Sequence, residues 1–110
     1  MVDREVPLIN AKKIPQKDVI LDPNGFFVIE IDRVNEEIRV EYYSNVYKKD
    51  KIVSGILEIV FKGKKADSLC DTIVKNVPNL LPTHYMYLGR ELLRAEISLE
   101  TDIEYIQGGC

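Results

Sequence analysis

One stretch of the chain concentrates residue types that could do chemistry. His84, Tyr87, Glu91, Arg94 and Ser98 recur at helical spacing, so a helix carries them along one face. His84 falls at the predicted start of that helix, where exposed N–H groups and the helix dipole favour an anion. A phosphate or carboxylate could sit there with Arg90 as a planar donor. This makes His84, Tyr87, Arg90 and Glu91 a candidate ligand-binding group, and His84 as general base the enzymatic alternative. The plainer reading is that His84 helps to cap the helix and that Glu91–Arg94 is an ordinary helical pair worth about 0.2–0.5 kcal/mol. No catalytic residue is assigned. Gly89 lies in the middle of the same helix, where glycine costs about 1 kcal/mol relative to alanine. Two explanations stand: close packing of the helix on its neighbours, or a ligand resting on bare backbone.

The composition bounds what else this chain can be. It has 110 residues, 45% hydrophobic and 30% charged, with 15 Lys+Arg against 18 Asp+Glu. That suits a single core of its own. No apolar run approaches the ~18 residues of a membrane span, and the N-terminus has no signal-peptide pattern, so a cytoplasmic protein without a membrane partner is expected. Two cysteines and one histidine predict neither a disulfide framework nor a metal site. Cys70 reads as a small buried hydrophobe. The acidic balance argues against a nucleic-acid partner, and the lysines at 48, 49, 51, 62, 64 and 65 read as solvated loops.

The positioning elements follow from hydrophobic periodicity. Residues 1–21 read as an N-terminal arm, with room for a short edge strand at Val19-Ile20-Leu21. Asp22-Pro23-Asn24-Gly25 is a turn signal. Phe26 to Asp32 alternates, with Phe27, Ile29 and Ile31 on one face, and Arg33 to Glu36 reads as a hairpin with Asn35 at its tight position. Glu37 to Tyr43 alternates again, placing Ile38, Val40 and Tyr42 together. Ser44 to Lys51 reads as a loop, and Ile52 to Phe61 as a third strand whose Leu57, Ile59 and Phe61 share a face. Gly55 within it signals a bulge or a bend. The period then changes. Ala66, Leu69, Cys70, Ile73, Val74 and Val77 predict one helix. Thr83 caps a second, from about His84 to Glu100, with Tyr85, Leu88, Leu92, Ala95 and Leu99 as its stripe, widened by Met86, Leu93 and Ile97. Ile103 to Ile106 reads as a short edge strand, and 108–110 as a flexible tail. Strands first and helices afterwards predict an α+β domain over 22–107: an antiparallel sheet of three to four strands with two helices on one face. Phe26, Val28 and Tyr43 fall on the other face. As an exposed apolar patch they are the candidate contact for a protein partner or a homodimer.

Three segments carry a family resemblance. Asp22-Pro23-Asn24-Gly25-Phe26-Phe27-Val28-Ile29 resembles its opening turn and strand. Thr83 to Glu96, with Tyr87-Leu88-Gly89-Arg90-Glu91-Leu92 at its centre, resembles its helix motif, and Tyr105-Ile106-Gln107 resembles its close. The family is a small archaeal and bacterial domain of unknown function, best known in methanogens as a C-terminal extension on dihydropteroate-synthase-like proteins and also found alone. The resemblance implies a setting near reduced-pterin or one-carbon metabolism, with a reduced pterin as the implied small molecule. It supplies no mechanism, and the synthase barrel has no counterpart here. It marks Asp22, Pro23, Gly25, Gly89 and Glu96 as motif residues, with structural pairing expected for Arg90 and Glu96. Family members carry an acidic residue after the close, where this chain has Gly108.

Overall fold

The computed structural model describes residues 5–7, 25–48 and 51–109. Strands β1 (Glu5–Pro7), β2 (Gly25–Asp32), β3 (Glu37–Lys48) and β4 (Lys51–Gly63) precede helices α1 (Ala66–Asn76) and α2 (Pro82–Thr101). The strands form one antiparallel sheet in the order β1-β4-β3-β2. The fold is α+β, as the order of periodicities predicts. The Asp22-Pro23 turn and the Val19–Leu21 segment lie outside the described residues. The edge strand paired to β4 is Glu5–Pro7.

The face assignments of β2 and of the first half of β3 hold. Phe27, Ile29, Ile38, Val40, Tyr42 and Phe61 join Leu69, Ile73, Val77, Leu88, Leu92 and Ala95 in one core. Leu88, Leu92 and Ala95 have no exposed surface. Full burial of each leucine contributes about 1.5–3 kcal/mol. These contacts hold both helices on one face of the sheet.

Ser44 to Lys51 is not a loop: β3 runs on to Lys48 and β4 starts at Lys51. Polar Ser44 and Asn45 are accommodated by pairing with Ile56 and Gly55, and the Ser44 hydroxyl donates to Glu58 at 2.7 Å. The register slips between Tyr42 and Tyr43, so Leu57 pairs with Tyr43 while Ile59 pairs with Tyr42. One extra residue reverses the side-chain alternation. Leu57 therefore leaves the face that holds Ile59 and Phe61.

The β2–β3 turn is fixed by Asp32, whose carboxylate accepts from the Val34 and Asn35 amides and from the Asn35 side chain. These bonds, led by that from the Asn35 side chain, lower the Asp32 pKa. The left-handed residue of the turn is Glu36, not Asn35. Helix α2 starts one residue before Thr83, with Leu81 at its N-cap, and ends on left-handed Asp102. Ile103 to Ile106 is not a strand.

Phe26 and Tyr43 do not form an exposed patch. They are 1% and 2% exposed, and Val28 is half-buried. The two rings stack at 5.1 Å. A Cβ on Gly55 would stand 2.6 Å from the Phe26 ring, so glycine is what lets that ring lie against β4. Gly25 is required in the same way: a Cβ there would meet the Tyr43 carbonyl oxygen at 2.1 Å.

Candidate functional site

Helix α2 has two contrasting flanks. On the first, the structure brings Tyr87, Arg90 and Glu91 together, and the segment Ile103–Gly108 of the same chain lies against them. Glu91 is fully buried. Its carboxylate accepts from Arg90 Nε at 3.2 Å, Arg94 Nη1 at 3.1 Å, the Tyr105 hydroxyl at 2.8 Å and the Gly108 amide at 3.0 Å. A buried carboxylate needs such compensation, and two guanidinium groups with two further donors supply it. Arg90 also lies over the Tyr87 ring, and Arg94 over the Tyr105 ring, each at 5.7 Å. Burial, and then the neighbouring Glu91 carboxylate, push the Tyr105 phenol well above its ordinary range.

Gln107 completes this clasp. Its Oε1 accepts from the Ile29 amide at 2.8 Å; its Nε2 donates to the Phe27 carbonyl at 2.8 Å and to the Tyr87 hydroxyl at 2.7 Å. The pattern fixes the orientation of the carboxamide, because a flipped group would set oxygen against oxygen and N–H against N–H. Further along α2, the Ser98 hydroxyl donates to the Ile103 carbonyl. Arg33, from the β2–β3 turn, donates to the Ser98 carbonyl and hydroxyl oxygens at 3.1 and 3.0 Å, and to the Ile103 carbonyl at 3.2 Å. Gly108 takes a positive φ of 69°, and the Gly109 amide bonds Ile106 at 3.0 Å. Expected as a flexible tail, these two glycines close a turn; Cys110 lies outside the described residues.

His84 stands apart from that clasp, at the start of the helix. It is 3% exposed, and its Nδ1 accepts from the Leu81 amide at 2.9 Å. This satisfies one of the donors that every helix start leaves unpaired. The capping reading of His84 is the one the geometry supports. Glu96 has an equivalent role across the helix pair. Its Oε1 accepts from the Ala66 amide at 2.6 Å, capping α1 from α2, while Arg90 pairs with Glu91 rather than with Glu96.

The second flank of α2 is open. Tyr85, expected in the core stripe, and Met86, Leu93 and Ile97, expected to widen it, are 41–75% exposed. Between this flank and α1 runs a groove of about 590 Å³, lined by Ala66, Cys70, Val74, Gly89 and Leu93 with Lys65, Asp67, Asp71 and Glu96 around them. Gly89 is on its wall, and a Cβ there would meet nothing within 4 Å. Close packing therefore does not explain this glycine. Cys70 borders the groove and is half-buried, and burial raises its thiol pKa. Lys65 pairs with Glu100 at 3.3 Å, and that bond raises its pKa. A separate cleft of about 500 Å³ lies between β2 and the C-terminal segment, reaching Ile31, Arg33 and Tyr105. Among the described residues, no group of His, Cys, Asp and Glu side chains is arranged to hold a metal ion, and no helix is long and apolar enough to cross a membrane.

The sheet, the helix pair and the clasp define a small α+β domain closed by its own C-terminal segment. The chain belongs to the family described as PterinBD-DUF4346, whose model matches residues 21–108 and so takes in both the clasp and the groove. It is similar to a Ycf91-like protein of the cyanobacterium Nostoc sp., at 31% identity over 86% of this chain and 89% of that one. It is also similar to the uncharacterized protein ycf91 of Porphyra purpurea, at 38% identity over 79% of this chain and 70% of that one. A third relative, the uncharacterized protein MJ0107 of Methanocaldococcus jannaschii, is 34% identical over 93% of this chain but only 17% of its own length. No solved structure matches the chain.

Proposed function

We propose that this chain is a non-catalytic binding module serving pterin-linked one-carbon chemistry in the cytoplasm, and that its ligand seat is the groove between α1 and α2. The observation that carries this reading is Gly89: a mid-helix glycine that no contact among the described residues requires, on the wall of an open groove. The volume is in the range of small-molecule sites. A reduced pterin suits the lining. Its planar pyrimidine ring can lie on bare backbone between Val74 and Leu93, and the N–H and amino donors along the edge of that ring suit the carboxylates of Asp67, Asp71 and Glu96.

The family description supports the pterin association. The match to a small part of a longer methanogen protein supports an accessory role, with the domain also carried on larger chains; we take these to be dihydropteroate-synthase-like proteins. The commitment of His84 Nδ1 to the Leu81 amide speaks against His84 as a general base.

The test is calorimetric titration of tetrahydropterin and tetrahydrofolate into the native chain and into Gly89→Leu. Saturable binding that the leucine abolishes, in a variant that melts no earlier than the native chain, is the expected result. Absence of binding to the native chain, or equal binding by both proteins, overturns the proposal.

A further inference from the structure

The two edges of the sheet are protected in different ways. A free strand edge is a template for pairing with another chain, and proteins blunt it with short strands, proline or lysine. The β1 edge follows this rule: it is three residues long and ends on Pro7. The β2 edge does not. It runs for eight residues, Gly25–Asp32, with neither proline nor lysine. Among the described residues, its cover is Gln107. In β2 the backbone groups of Phe27, Ile29 and Ile31 face away from β3. The Gln107 carboxamide accepts from the Ile29 amide and donates to the Phe27 carbonyl, as the backbone of a fifth strand would.

We propose that the outer edge of β2 is a strand-pairing surface for a second copy of this chain, and that Gln107 holds it shut. The edge is compatible with itself. Antiparallel pairing about Ile29 sets Glu30 opposite Val28 and Asp32 opposite Phe26 of the second copy, so no like charges face each other. It also keeps Phe27, Ile29 and Ile31 of both copies on the helix-bearing face, which would give one continuous eight-stranded sheet. Beside Ile31, just beyond the Gln107 contact, a cleft separates β2 from the C-terminal segment, so the edge is not packed along its full length. The clasp would then decide between two states: closed on Gln107, or open and paired.

The experiment compares the full chain with Gln107→Ala by sedimentation and by amide hydrogen exchange over a range of concentrations. The expected result is association of the variant to twice the native mass as concentration rises. In dilute solution its Ile29 amide should exchange faster, on the order of tenfold, and protection should return as the variant associates. Should Gln107→Ala fail to fold, Gln107→Asn is read in the same way, since it keeps the carboxamide but is too short to reach both Phe27 and Ile29. A folded variant that keeps the native mass at every concentration, with Ile29 unprotected throughout, overturns the proposal and leaves Gln107 as a satisfied structural contact.

Discussion

Helix α2 presents two flanks only a few residues apart in sequence, and they treat polarity in opposite ways. On the flank of Tyr87, Glu91 and Arg94, charged and hydroxyl groups point into the fold, and the chain's own C-terminal segment satisfies them. On the flank of Gly89, Leu93 and Ile97, apolar groups point outward around a groove that nothing in the described chain fills. The residue types that suggest chemistry perform the structural work, while the residue without a side chain marks the open surface. A helical row of His, Tyr, Arg and Glu has two possible occupants, a ligand or another part of the same chain. Only the path of the segment after Asp102 decides between them.

Substitutions on the two flanks should therefore differ in size and in sign. Glu91→Ala leaves the Arg94 guanidinium, the Tyr105 hydroxyl and the Gly108 amide without their buried acceptor. It should cost about 2–6 kcal/mol in urea unfolding, at about 1–3 kcal/mol for each of the two donors, the Tyr105 hydroxyl and the Gly108 amide, left without an acceptor; a cost comparable to that of a surface change would contradict the clasp.

Next in size is the comparison of the core with the helix cap. Leu92→Ala should cost about 2–5 kcal/mol, and His84→Ala about 0.5–2 kcal/mol as a lost cap, with both proteins folded. A greater loss at His84 than at Leu92 would mean that the histidine does more than cap the helix.

Tyr105→Phe removes one donor to Glu91 and should cost about 1.5–3 kcal/mol at neutral pH. It also has a pH signature. The Tyr105 phenol titrates higher in the folded chain than its ordinary value of 10.0, so this contribution is fully present below that value and is lost as pH rises above it. Thermal melts of the native chain should fall at alkaline pH, and Tyr105→Phe should flatten that fall.

The smallest change has the opposite sign. Gly89→Ala should stabilise the chain by about 0.5–1 kcal/mol, because the methyl group meets no neighbour while helix propensity improves. Destabilisation would mean that the groove is closed in solution.

Much of the fold was legible because alternation and helical spacing report burial directly. Phe27, Ile29, Ile38, Val40, Leu88 and Leu92 all lie where their periods place them. Leu57 does not, because a single bulge reverses the alternation and leaves little mark in composition. Phe26 and Tyr43 looked exposed because their face of the sheet is otherwise polar; their mutual stacking over Gly55 is a tertiary fact. Tyr85, Met86, Leu93 and Ile97 read as core because periodicity shows which residues share a side of a helix, and not which sides are covered. The clasp was legible only in pieces. Glu91 and Tyr105-Ile106-Gln107 stood out as motif residues, but their joining depends on the left-handed turn at Asp102. Arg33 carried no signal at all, since an arginine in a hairpin turn ordinarily faces water.

The division of labour between the two flanks is the central claim, and amide NMR during a tetrahydropterin titration tests it most directly. Saturable shifts are expected at Cys70, Val74, Gly89 and Leu93, with Tyr105, Gln107 and Gly108 unmoved. Shifts concentrated at Glu91, Tyr105 and Gly108, with Gly89 silent, would contradict that claim and return the ligand to the polar flank.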